Sequence, residues 1–246
     1  MLRTTTATTA LLAVAGFTAA ANAGIFSFAS DFSDQSWTFK LERHADHFSI
    51  SDATHYTDPT VLLIDDANGI LEPLQYEVDF NLDADLDFVS STPIGGGKFI
   101  HSYTLVYAVA GWYTSSGPIL EMTFRDSIIT IVGDEFGWDS AGSMFGSDAW
   151  ADVQYTSYID EPDYGMYLGD AIGPQNFGFS LTAINTSGSI PYDYSSPGAT
   201  LDPSDMLPTE EVFAEGSFSG SAQFIPAPST AALLLGAGLL GTRRRR

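Results

Sequence analysis

Between Leu74 and Phe88 the chain alternates, almost residue by residue, between apolar and acidic side chains. Val78, Phe80, Leu82, Leu86 and Phe88 fall on one side, and Asp79, Asn81, Asp83, Asp85 and Asp87 on the other. A helix would scatter both sets around its circumference, whereas a strand, repeating every two residues, sorts them onto two faces. The stretch therefore predicts a long strand with one dry face and one wet face. The dry face needs a second apolar layer to lie against.

The same period recurs elsewhere, and helix signals are nearly absent. From Gln35 to Leu41, Trp37, Phe39 and Leu41 share a face; Thr60 to Ile64 is an apolar run closed by the turn sequence Asp65-Asp66-Ala67-Asn68-Gly69. Further strands are expected over residues 99–110, 119–125, 127–132, 150–158, 177–184 and 213–224. Loops rich in Gly and Ser are expected over 91–97 and 133–147. Residues 187–208, with Pro191, Pro197, Pro203 and Pro208, read as a surface loop or covering strap. The economical fold is all-β: a single antiparallel β-sandwich of jelly-roll type with long loops, with an open barrel as the runner-up.

Charge narrows the partners. The chain has 31 Asp and Glu, all between residues 24 and 224, against 9 Lys and Arg. Five of the nine, Arg3 and Arg243 to Arg246, lie at the ends, so only Lys40, Arg43, Lys98 and Arg125 offset the 31 acids, a balance of −27. Such a surface repels phosphate backbones, which need clustered cations, and excludes nucleic acid as a partner. With no cysteine, the fold has no disulfide to lean on and no thiolate for catalysis or metal binding.

The two ends carry addresses. Arg3, then the small apolar run from Ala10 to Ala20, then Ala21-Asn22-Ala23 form the three parts of a secretory signal peptide over residues 1–23, with signal peptidase expected to cut before Gly24. At the other end, Ile225-Pro226-Ala227-Pro228-Ser229-Thr230 precedes an apolar stretch, Ala231 to Gly241, and a terminal cluster of Arg243, Arg244, Arg245 and Arg246. The prolines interrupt any preceding strand. The apolar stretch is short for a permanent span, and the arginines would hold it on the cytoplasmic side.

This order of Pro-x-Pro, short apolar helix and arginine cluster resembles the PEP-CTERM sorting tail, with Pro226-Ala227-Pro228 standing where the eponymous motif has Glu at its centre. The resemblance covers residues 225–246 and implies export by a bacterium with two membranes. It also implies transient insertion of the tail in the inner membrane, recognition by an exosortase, and a final place at the outer surface or in the extracellular matrix, often with exopolysaccharide. It carries no implication for residues 24–224, the expected all-β extracellular domain.

Within that domain four groups of residues invite a chemical reading. Asp79, Asp83, Asp85 and Asp87 are oxygen ligands of the kind Ca²⁺ takes, but same-face neighbours on a strand sit about 6–7 Å apart, too far to share one ion. His44, His47 and His55, with Asp46 and Asp52, have the residue types of a zinc site; on a strand, a spacing of three places His44 and His47 on opposite faces. Paired acids such as Asp134-Glu135 and Asp160-Glu161 have the chemistry of a glycosidase, though no spacing distinguishes them among 31 acids. Trp112, Tyr113, Trp138, Trp150, Tyr155, Tyr158, Tyr164 and Tyr167 are either core or a sugar-binding surface.

No nucleophile elbow or P-loop is present. The expectation is a non-catalytic exported surface or matrix protein without a required cofactor. A carbohydrate-binding module or polysaccharide hydrolase, and a Ca²⁺-dependent adhesin, are the alternatives. Mass spectrometry of protein extracted from the cell surface should find a chain that begins at Gly24 and lacks Arg243 to Arg246; an intact arginine terminus would contradict removal of the tail.

Overall fold

The computed structural model describes residues 23–29, 39–45, 47–52, 60–66, 69–186 and 198–224. The signal peptide through Asn22, Trp37, Asp46, His55, and the whole tail with its expected apolar helix, Pro226, Ala227, Pro228 and the arginine cluster, lie outside the described residues.

The described chain is almost entirely antiparallel β-sheet. The alternating stretch is indeed a strand, and a longer one than expected: β5 runs Leu74–Gly95, with Val78, Phe80, Leu82 and Ala84 buried and Asp79, Asp83, Asp85 and Asp87 exposed. It pairs along most of its length with β6 (Lys98–Thr114). The expected loop at 91–97 is mostly the end of this hairpin. Gly95 pairs with Lys98, and the two-residue turn between them, Gly96-Gly97, has positive φ at both positions, as a twist-matched hairpin turn requires.

Either side of that hairpin, the ladders close on themselves. On one side, β6 pairs through its first half with β8 (Ser127–Asp134). The ladder then continues through β9 (Gly137–Ser147) and β12 (Gln175–Asn185) to β14 (Val212–Ala222). On the other side, β14 returns to β5 by two routes. Its last residues pair with β1 (Gly24–Ala29), which pairs with β4 (Thr60–Asp65) and so with β5. Its first residues pair with β2 (Phe39–Arg43), then β3 (Phe48–Asp52), then β5. The ring of strands is thus complete by either route, and closure removes most of the free sheet edge that invites aggregation.

Two sequence expectations give way here. Residues 137–147 form β9, not a loop. Beyond the buried Trp138 its inward positions are Gly142, Met144 and Gly146, so the apolar alternation that marks other strands is missing from that part of the sequence. The single strand expected over 150–158 is a helical turn, α1 (Asp148–Ala151), then a short strand, β10 (Gln154–Ser157). Asp152, with φ of 44°, takes the left-handed conformation that separates them. β7 (Gly117–Phe124) pairs with the second half of β6 and passes the ladder to β10 and on to β11 (Gly169–Asp170).

Inside the ring the core is aromatic. Phe28 of β1 touches Phe39 of β2, Phe80 of β5, Phe179 of β12 and Phe218 of β14, with ring centroids 5.4–6.1 Å apart. Trp112 of β6 completes the group against Phe80 and Phe218. The described part of the 187–208 segment behaves as a strap. β13 (Ala199–Thr200) pairs with β9, Leu201 bridges to Pro208, and the Tyr103 hydroxyl donates to the carbonyl of Met206. Arg43 holds the strap by ion pairs to Asp202 and Asp205, 3.4 and 2.5 Å.

Truncating the ring at the centre of this cluster should be severe. Phe80→Ala is expected to cost about 3–5 kcal/mol in denaturant unfolding, the usual loss for a buried aromatic. Asp79→Asn and Asp83→Asn, on the opposite face of the same strand, should stay within about 0.5 kcal/mol of the parent.

Candidate functional site

The sequence left open whether the conspicuous aromatics are core or surface, and the structure divides them. Trp112, Trp138 and Tyr155 are fully buried. Tyr164 and Tyr167 lie half-buried against the core. Tyr113, Tyr158 and Trp150 face outward, joined by Phe145 and Tyr107, which the sequence reading had not singled out.

These outward rings form two groups on the outer face of the sheet that contains β6. The first group is built by register. Across the strands, Asn81 pairs with Gly111, Gly111 with Glu121, Glu121 with Thr156, and Thr156 with Asp170, so one row crosses β5, β6, β7, β10 and β11. Tyr113 is next outward along β6 and lies down over Gly111; a Cβ at that position would collide with the tyrosine ring. Its hydroxyl donates to Glu121 at 3.3 Å, and the Tyr158 hydroxyl donates to the other oxygen of the same carboxylate. The bond to Glu121 raises the Tyr158 hydroxyl to a pKa of about 12, and burial with the same carboxylate raises that of Tyr113. Both hydroxyls therefore remain protonated donors through any neutral pH.

The second group lies towards the other end of β6. Phe145 and Trp150 meet edge to face at 5.8 Å and are 57% and 48% exposed. Phe145 pairs in register with the exposed Ile128. The backbone of Arg125 is tied to that of Ala151, beside Trp150, by a 2.8 Å hydrogen bond, and its guanidinium stacks 5.4 Å from the centre of the Tyr107 ring. Asp126, Asp148 and Asp152 are exposed around this group. Exposed rings bordered by carboxylates and one guanidinium offer an apolar contact ringed with hydrogen-bonding groups.

The other expected sites fare differently. His44 and His47 are not on opposite faces: they flank the β2–β3 turn, where the His44 N–H donates to the His47 carbonyl, and their rings stack at 4.3 Å. The strand rule fails there because the residues belong to a turn. His44 Nε2 lies 2.9 Å from Ser49 Oγ, and His47 Nε2 is 3.8 Å from Asp83. Among the described residues no group of three or more His, Asp or Glu is placed to hold a metal ion. The ladder of Asp79, Asp83, Asp85 and Asp87 stands exposed along β5, with Asn81 donating to Asp83 at 2.8 Å. Asp134 accepts the Phe136 N–H within the β8–β9 turn, and Glu161 accepts from Tyr76.

One polar pair had no signal beyond its parity in β6. His101 points inward with Tyr103 and Leu105 and is fully buried. Its Nε2 donates to the Asp134 carbonyl at 2.8 Å, which leaves Nδ1 to accept from the Ser91 hydroxyl at 2.7 Å. The imidazole ties β5 to the β8–β9 turn.

A scan against protein-family models gives no match, and neither do searches of curated proteins and of solved structures.

Asp52 is the half-buried acid with the clearest consequence. It accepts from the Thr60 hydroxyl at 2.7 Å and from the Phe80 N–H at 2.5 Å, yet burial dominates and raises its pKa to about 6. The folded state thus binds this proton more tightly than the unfolded chain, so Asp52 stabilises the fold at low pH and loses that contribution as pH rises through 6. Unfolding measured from pH 4 to 7 should show stability falling across this window relative to Asp52→Asn; parallel pH profiles of the two proteins would contradict the assignment.

Proposed function

We propose that this chain is an exported, non-catalytic surface or matrix protein whose all-β domain holds polysaccharide on the outer face of the β6 sheet. The observation that carries the reading is the pair of aromatic groups on this outer face: Tyr113 and Tyr158 bonded to the one Glu121 carboxylate, and Phe145 and Trp150 exposed edge to face. A soluble domain rarely leaves such rings clustered at its surface without a partner. Sugar rings present C–H faces to aromatic surfaces and hydroxyls to carboxylates, and both kinds of group lie side by side here.

The address supports the same reading. A signal peptide and a PEP-CTERM-like tail would take the domain to the cell surface, with signal peptidase and an exosortase as processing partners and exopolysaccharide as the neighbour there. β1 starts at Gly24, the residue expected to become the N-terminus, and β14 ends at Ala222, three residues before the tail begins. We read the closed ladder as a flattened barrel, a sandwich whose two walls meet across Phe28, Phe80 and Phe179.

Co-sedimentation with insoluble polysaccharide should show saturable binding of the exported protein. Phe145→Ala with Trp150→Ala should weaken it about tenfold, the scale of one lost aromatic contact. The unfolding midpoint should not move, because both rings are exposed. Unchanged binding in that variant, or no saturable binding in the parent, would sink the assignment of this face.

A further inference from the structure

The two aromatic groups are not interchangeable patches scattered over the surface. Tyr113 and Tyr107 lie six residues apart on the outer side of β6, about 20 Å along an extended strand. Between them, beyond the Tyr113 ring that covers Gly111, the strand presents Val109, with Asp83 of β5 and Thr123 of β7 paired to either side of it. A compact sugar of one or two rings reaches one group only. A chain laid lengthwise along β6 reaches both.

Charge selects among such chains. The path is flanked by Asp79, Asp83 and Asp85 of β5, by Glu121 of β7, and by Asp126 and Asp148 at its far end. Its one cation, Arg125, is stacked on Tyr107. A uronate or sulfate group brought within a few ångströms of these carboxylates is repelled, and the repulsion is multiplied along a polyanion. Uncharged hydroxyls meet the same carboxylates as hydrogen-bond donors.

We infer that the ligand of this face is an unbranched, uncharged polysaccharide chain that runs along β6 and engages the Tyr113 and Trp150 groups together. The inference rests on the reading of the face as a glycan-binding surface. Two weak contacts on one chain multiply, because the second forms at high effective concentration once the first has formed. Affinity should therefore depend on chain length in a step and not rise smoothly.

Calorimetric titration of the exported protein, in the presence of a chelator, with length series of a neutral glucan, a neutral mannan and a polyuronate would test this. The expected result is a gain of about tenfold or more when a neutral chain becomes long enough to span both groups. Tyr113→Ala and Trp150→Ala should each remove that step while leaving short-chain binding at the intact group. Circular dichroism and unfolding midpoints equal to the parent's would establish that both variants fold. Binding independent of length, or polyuronate binding as tightly as the neutral chains, would overturn the inference and leave the broader glycan reading standing. Absence of binding to every series would overturn both.

Discussion

The contact on which the rest of this structure depends is the packing of Phe28 against four other phenylalanines, each from a different strand. Hydrogen bonds along the ladders set the register but do not by themselves hold two walls together, since each trades against a bond to water. With no cysteine in the chain, cohesion between the walls must come from buried apolar area, on the order of 2–3 kcal/mol for each fully buried aromatic side chain. β1, β2, β5, β12 and β14 all contribute a ring to one cluster. That cluster draws the two routes from β14 back to β5 over the same core.

A core of that kind frees the outer faces from any packing duty, and the chain fills them with acids. In such a body the few cations are placed with evident economy. Lys40 lies 2.7 Å from Glu42 and 3.6 Å from Glu211, Arg43 ties down the strap at Asp202 and Asp205, and Lys98 pairs with Asp139. Three of the four thus join β2 to the segment before β14, or the β5–β6 hairpin to β9. Exposed pairs of this sort contribute little each. Their arrangement still concentrates positive charge at the strap end of the ring and leaves the β6 face negative. On the proposed reading, the same distribution decides which polymers can approach the aromatic rings.

Much of the fold was legible because an apolar period of two is a local signal. β5, β6, β7, β8, β12 and β14 all show it, and the structure has each of them within a few residues of the expected limits, β5 and β6 running on past theirs. β9 was not legible, since glycine at Gly142 and Gly146 contributes no hydrophobic mark to a buried face. The stacking of His44 on His47 depends on the exact position of a turn, which a strand rule cannot supply. Trp112 and Tyr113 show where the candidate site could have been read more closely. They are neighbours in sequence on one strand, so burial of Trp112 alongside Ala108 and Ala110 forces Tyr113 outward. Trp150 and Phe145 offered no such parity, because one lies on α1 and the other on the unrecognised β9.

The central claim is that cohesion lies inside the ring and recognition lies on the outer face of β6. Indole N–H signals separate the two directly, since Trp112 and Trp138 are in the core and Trp150 is on the face. In a ¹H–¹⁵N titration of the exported protein with a long neutral glucan, the account predicts a saturable shift of the Trp150 indole signal, with backbone shifts following Tyr107 to Tyr113 and Glu121, while the Trp112 and Trp138 indoles stay fixed. Shifts confined to the strap around Asp202 to Glu211, or an unmoved Trp150 signal at saturation, would contradict it.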